Sequence, residues 1–318
     1  MVSGSPSTAR DADGTDATTL SRFRAALVLA ARAPSRIVFL EDARVGALLS
    51  AVVLVASPRH ALLGAVAAVA ASLSARAVSA SRALADSGLV PLNGLFAGLA
   101  AATFFPGVGP SLAAAVLAGA LAAPTAIALE RLLAPWDLPL LVAPYLPAFA
   151  LVMLGARDLP WALPVAAPVP PPLPSDVVAA SIASALRGVG QIVFLPSEAV
   201  GAAFLLAVAV IRPRLALVLL AVAIPSAAWA HALRVPGWHA GGGLSVFTPV
   251  LVACAAETRF RGFRASYVPI AVLVSPLLES ACIRTCGAFG LPALSLAYVV
   301  FTWCAILVPP VRAAETRP

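Results

Sequence analysis

The sequence predicts an all-α integral membrane protein made of two inverted repeats. The first observation behind this is composition. Of 318 residues, 61% are hydrophobic and 11% charged, and the mean hydropathy is +0.98, whereas soluble domains carry about 25% charged residues. A water-soluble core cannot hide so much apolar surface, so the lipid bilayer is the solvent for most of it. The second observation is duplication. The stretch from Arg32 to Leu63 aligns without a gap on the stretch from Arg187 to Val218, at one offset of 155 (187 minus 32). Ile37-Val38-Phe39-Leu40 falls on Ile192-Val193-Phe194-Leu195, Gly46-Ala47 on Gly201-Ala202, and Pro58-Arg59 on Pro213-Arg214. Two copies of one apolar unit imply a pseudo-two-fold axis, and in such membrane proteins a solute path lies where the copies meet.

Taken in order, residues 1–24 form a polar tail whose first 20 residues are rich in Ser, Thr and Asp. No apolar core follows a basic start, so the tail is read as disordered and cytoplasmic rather than as a signal peptide. Repeat 1 covers 25–159, with apolar segments near 45–57, 60–74, 94–105, 110–129 and 138–156. Residues 160–175 are a linker, because the prolines of Pro160–Pro174 (PWALPVAAPVPPPLP) forbid a regular helix. Repeat 2 covers 176–310, with apolar segments near 176–186, 199–211, 214–230, 244–256, 266–280 and 290–308, and residues 311–318 are a C-terminal tail. Several segments are shorter than the ~20 residues a spanning helix needs, so some are tilted, broken or half-helices. Arg259, Arg261 and Arg264 mark an interfacial loop. Glu130-Arg131 and Glu279…Arg284 are assigned to helix ends, where charged heads snorkel to water. Arg22, Arg24 and Arg32 at one end, with Arg312 and Arg317 at the other, place both ends in the cytoplasm by the positive-inside rule. The expected location is the cell membrane (plasma or inner), crossed several times.

Composition also excludes function classes. All 21 basic residues are Arg, which with the abundant Ala reflects a GC-rich coding bias rather than a nucleic-acid surface. The net charge of +7 anchors the cytoplasmic face. Cys254, Cys282, Cys286 and Cys304 lie in apolar stretches and are read as buried packing, with no metal site. His60, His231 and His239 are scattered, and neither H-E-x-x-H nor G-x-S-x-G occurs, so an enzyme is not expected. The chain has no Lys to complete a phosphate loop after Gly107-Val-Gly109. Movement of a solute should therefore be downhill and need no cofactor.

The chain keeps one Asn and one Gln. Gln191 lies in Arg187-Gly-Val-Gly-Gln-Ile-Val-Phe194, and Asn93 in the run from Gly88 to Leu99, GLVPLNGLFAGL. These contexts resemble the urea transporter family. Its opening pattern R-G-x-G-Q-x-x-F is matched by Arg187, Gly188, Gly190, Gln191 and Phe194. Its middle pattern is matched by Gly88, Leu89, Asn93, Gly94, Leu95, Gly98 and Leu99. Its closing pattern L-P-x-L-T-x-P-F is matched by Leu138, Pro139, Leu141, Pro144 and, loosely, Tyr145. The other copies are Arg32, Ile37 and Phe39; Gly243, Leu244, Phe247, Val250 and Leu251; and Leu291, Pro292, Leu294, Ser295 and Tyr298, with Trp303 where the family often has Trp. The resemblance covers residues 32–308. It implies a channel-like facilitator, a homotrimer with one pore per subunit, in which each repeat contributes about five transmembrane helices plus a tilted half-helix around a central pore. The implied partners are urea and the lipid bilayer.

Urea is planar and neutral, with N–H donors on both nitrogens and one carbonyl. Two facing apolar rings admit a flat molecule and offer nothing to replace the water of an ion. Half-helix carbonyls and side-chain oxygens supply acceptors beside the rings. The resemblance places one slot between Phe194 and Phe247 with Gln191 beside it, and the other between Phe39 and Leu92, with Arg36 where an amide is expected. Leu92 loosens the test for flatness. Arg36 cannot accept from an N–H, and it either opposes entry of other cations or only snorkels to the cytoplasmic face. Midway, the family's Thr positions hold Val142 and Ser295, and only Ser295 can accept a hydrogen bond. Asn93 pairs with Thr248 across the offset and caps a half-helix. These departures keep open a facilitator of another small neutral or amide-like solute, and a degenerate member that transports nothing.

Overall fold

A computed structural model describes residues 33–308, apart from 79, 82, 85, 86, 167, 168, 259, 261 and 262, and apart from the side chains of 238 and 240. Both assigned tails, together with Arg32, Arg259 and Arg261, lie outside the described residues.

Backbone in hydrocarbon must satisfy its own N–H and C=O groups, and a helix does so within one segment. The described residues accordingly contain helices and no strand. A 3-10 turn at Ala33–Val38 is followed by α1 (Ala43–Ala56), α2 (Pro58–Ala77), α3 (Leu89–Phe104), α4 (Val108–Leu133) and α5 (Tyr145–Ala156). The second half holds α6 (Val177–Gln191), α7 (Glu198–Ile211), α8 (Pro213–Ala232), the short α9 (Gly237–Gly241), α10 (Leu244–Glu257), α11 (Tyr267–Ala288) and α12 (Leu296–Leu307). Among the described residues, four helices are long and apolar enough to cross a membrane: α2, α4 with its 3-10 extension to Trp136, α8 and α11. The helix starts follow local chemistry. Asp42 accepts from the backbone N–H of Arg44 to begin α1, and Ser57 with Pro58 at the first position begins α2.

Helix boundaries follow the offset of the sequence. The spans of α1 and α2 map on those of α7 and α8 at both ends, and α3 and α10 share their start, Leu89 against Leu244. Non-standard backbone recurs too. Phe39 and Phe194 have φ of 57° and 62°, Gly88 and Gly243 have 72° and 70°, and Leu141 and Leu294 have 51° and 50°. The runs 138–156 and 290–308 are not single helices: each splits into a turn and a short helix, α5 or α12. Pro139 and Pro144 in the first, Pro292 in the second, and the left-handed Leu141 and Leu294 interrupt the run.

Small residues let backbones touch where no water drives them together. A Cβ on Gly98 of α3 would overlap the Leu63 carbonyl of α2, and one on Gly201 of α7 would overlap the Leu186 carbonyl of α6. Across the halves, α1 packs on α7, and Trp303 Nε1 donates to the Pro139 carbonyl at 2.8 Å. The proline-rich segment is pinned at both sides. The N–H of Val165 donates to the Phe104 carbonyl at 2.8 Å, and Arg187 Nη1 donates to the Pro171 carbonyl at 2.6 Å. Cys254 and Cys282 are buried as expected, but Cys286 is half-buried and Cys304 exposed. Among the described residues no group of His, Cys, Asp or Glu is placed to hold a metal.

Candidate pore

The 3-10 turn Ala33–Val38 and the end of α6 stop in the same way. The N–H of Phe39 donates to Arg36 O (3.1 Å) and that of Leu40 to Ser35 O (3.2 Å). Phe194 and Leu195 repeat both bonds, to Gln191 O (3.0 Å) and Gly190 O (3.1 Å). A left-handed residue that closes a helix is usually Gly. Here a Phe takes that position twice, and the reversal turns each ring toward a cavity.

Two cavities result. One, of about 510 Å3, is lined by Gln191, Phe194, Phe247, Ser295, Glu279 and Arg157, among others. The other, of about 530 Å3, is lined by Arg36, Phe39, Leu92, Val142, Phe96 and Tyr298, among others. The structure thus brings eight of the ten expected residues to cavity walls, four to each. The exceptions are Asn93 and Thr248, both fully buried. Asn93 clamps the turn after Leu141: its Nδ2 donates to Leu89 O (2.9 Å) and Leu141 O (3.1 Å), and its Oδ1 accepts from the N–H of Tyr145 (3.0 Å). Thr248 instead donates its hydroxyl to Glu279 Oε1 at 2.7 Å.

Aromatic rings that line one cavity meet rings that line the other. Phe96 from the Phe39 side meets Phe194 at 6.4 Å between centroids, and Tyr298 meets Phe247 edge-on at 6.5 Å. Tyr145 stacks on Phe96 at 5.5 Å. Its hydroxyl lies 2.7 Å from Ser295 Oγ and accepts from the N–H of Ser295 at 3.2 Å. This cross-half pair sits at Ser295, the one midpoint hydroxyl that remains. The equivalent position, Val142, has no side-chain oxygen to offer.

The family model described as a urea transporter matches residues 27–310. The chain belongs to the urea transporter family. A comparison with curated proteins finds no match. Membership in the urea transporter family supports passive transport of urea across a membrane and not an enzymatic reaction.

Three features of this urea transporter family member escaped the sequence. Arg36 is not a bare cation. Its Nη2 lies 2.9 Å from Glu41 Oε1, and Glu130 and Asp137 line the same cavity, so its expected opposition to other cations is offset. Phe96 and Tyr298 line the Phe39 cavity and touch the rings of Phe194 and Phe247 in the other. The signal for Phe96 was available, since it lies one helical turn after Leu92 and so shares its face. Glu279 is not at a helix end. It lies inside α11, 2% exposed, on the wall of the Phe194 cavity. Glu130, by contrast, is exposed in the last turn of α4.

Proposed function

We propose that the protein conducts urea as a channel-like passive facilitator, through a central path between two inverted repeats, each with about five membrane helices and a tilted half-helix. The observation that carries this reading is the division of the slot residues. Phe194, Phe247 and Gln191 line one cavity, Phe39, Leu92 and Arg36 line the other, and rings contributed by both halves lie between. Recurring helix starts and left-handed residues support the repeats. In this reading urea slides flat between the Phe194 and Phe247 walls, keeps hydrogen bonds to Gln191 and to the Ser295 hydroxyl, and leaves past Phe39 and Leu92. Asn93 and Thr248 act by holding the walls. The site residues are therefore Phe39, Leu92, Phe194, Phe247, Gln191, Arg36, Val142 and Ser295, supported by Asn93 and Thr248. The protein works as a homotrimer with one path per subunit, in the cell membrane.

Stopped-flow light scattering of liposomes carrying the purified protein tests the reading. Urea-driven recovery of volume should be faster than in empty liposomes, and equal rates would end it. A faster response to acetamide than to urea would instead favour an amide-like solute, the outcome that Leu92 and Val142 keep in view.

Val142→Thr should raise urea flux by roughly threefold, the worth of about one ordinary hydrogen bond restored at the midpoint. The same assay reads it, and a flat response would place the barrier elsewhere on the path.

A further inference from the structure

Glu279 has no task in that reading, yet it is the deepest acidic side chain on the wall of the Phe194 cavity, 2% exposed and surrounded by apolar helix. A carboxyl inside a membrane is rare and costly, and it persists where it serves a path. No cation holds it among the described ion pairs, which join Arg36 to Glu41, Arg44 to Asp42, Arg187 to Glu198 and Arg214 to Glu257. Arg157 lines the same cavity, but its Nη2 donates to the carbonyls of Phe289 (2.8 Å) and Gly290 (2.6 Å). The described partner of Glu279 is a hydroxyl, Thr248 Oγ1, at 2.7 Å. At the equivalent position in the other half, Asn93 uses its amide on backbone groups of Leu89, Leu141 and Tyr145. The second half has therefore exchanged an amide that clamps a turn for a hydroxyl that orients an acid on the cavity wall.

We propose that Glu279 is a further solute-binding residue, whose carboxylate accepts the paired N–H edge of urea in the Phe194 cavity and is positioned by Thr248. This rests on the urea-path reading. Opposite its carbonyl, urea presents one N–H from each nitrogen, side by side, in the fork arrangement that a carboxylate accepts with two oxygens. Gln191 and Ser295 offer single oxygens on the same wall. Acetamide has a methyl group in place of one nitrogen and cannot fill both carboxylate oxygens. Glu279 therefore selects ureas over simple amides.

The test compares urea and acetamide permeabilities of full-length wild type and Glu279→Gln in liposomes. Loss of the second acceptor oxygen should lower the urea-to-acetamide ratio roughly fivefold, the worth of about one hydrogen bond. A merely structural Glu279 would lower both rates in parallel, and an unmoved ratio overturns the proposal. Should Glu279→Gln fail to fold, Thr248→Val and Thr248→Ser decide. Val should lower the ratio and Ser, which keeps the hydroxyl, should hold it near wild type; equal ratios in the two variants overturn the positioning role and the proposal with it. Wild type with no urea rate above empty liposomes removes the transport reading itself. Normal wild-type transport with an insensitive ratio removes the role of Glu279 alone.

Discussion

Phe194→Ala should raise the permeability of N-methylurea relative to urea by roughly tenfold, because one methyl group of discrimination in an apolar site is worth about 1–3 kcal/mol. The ring of Phe194 lines the cavity that Phe247 also lines, and it leans on Phe96 of the other cavity. Its removal takes away one wall of the proposed slot and that ring contact. The fold should survive. The ring borders empty space, so truncation costs near the lower end of the about 3–5 kcal/mol expected for a fully packed Phe. Ala tolerates the left-handed backbone at this position no worse than Phe does. Paired stopped-flow traces with the two solutes measure the ratio, and gel filtration checks that the variant stays monodisperse. A ratio equal to that of wild type would take Phe194 out of the path.

A large loss of stability is expected at Arg187. Its side chain is 6% exposed, and its guanidinium ties the proline-rich segment to two parts of the second half. Nε and Nη2 donate to Glu198 Oε1 (3.2 and 2.8 Å), and Nη1 donates to the carbonyls of Pro171 (2.6 Å) and Gly241 (3.3 Å). Arg187→Met keeps the bulk of the stem but strands two carbonyls and a carboxylate. Breaking one side of a buried charged pair costs about 3–5 kcal/mol. Glu198 is half exposed and can rehydrate, so about 3 kcal/mol is expected. The consequence reaches the site, since Leu163 to Ala166 of the pinned proline-rich segment line the Phe194 cavity. Thermal unfolding in detergent should show a clearly lowered midpoint. A midpoint equal to that of wild type would mean that the segment is held by its other contacts.

Much of the candidate site was legible because the relevant signals are local or periodic. Phe39 and Phe194 stand out through the duplicated tetrad, and each ends a helical segment at a left-handed residue, so the sequence block and the backbone reversal coincide. Gln191 stands out because the chain has no other Gln. Asn93 was assigned to capping, and its side chain does serve backbone groups, though those of a distant turn as well as its own helix. Glu279 was misread because a charge beside an apolar run looks the same whether its helix turns it to the interface or to an internal cavity. Arg36 was read as an open charge because its partner Glu41 lies beyond the backbone reversal at Phe39, which no hydropathy pattern encodes.

By itself, the sequence determined the solvent, the helical class, the family and the two sets of residues that line two separate cavities. Those follow from composition, from the 155-residue offset and from short blocks, all of which are properties of neighbours along the chain. Only the tertiary structure decided which rings of the two cavities meet, that Tyr145 reaches Ser295 from 150 residues away, that the proline-rich segment is part of a wall, and that Glu279 faces inward. The reason is physical: these depend on which helix faces meet, and that choice is made by close contacts such as Gly98 on Leu63 and Gly201 on Leu186, between segments the chain itself keeps apart.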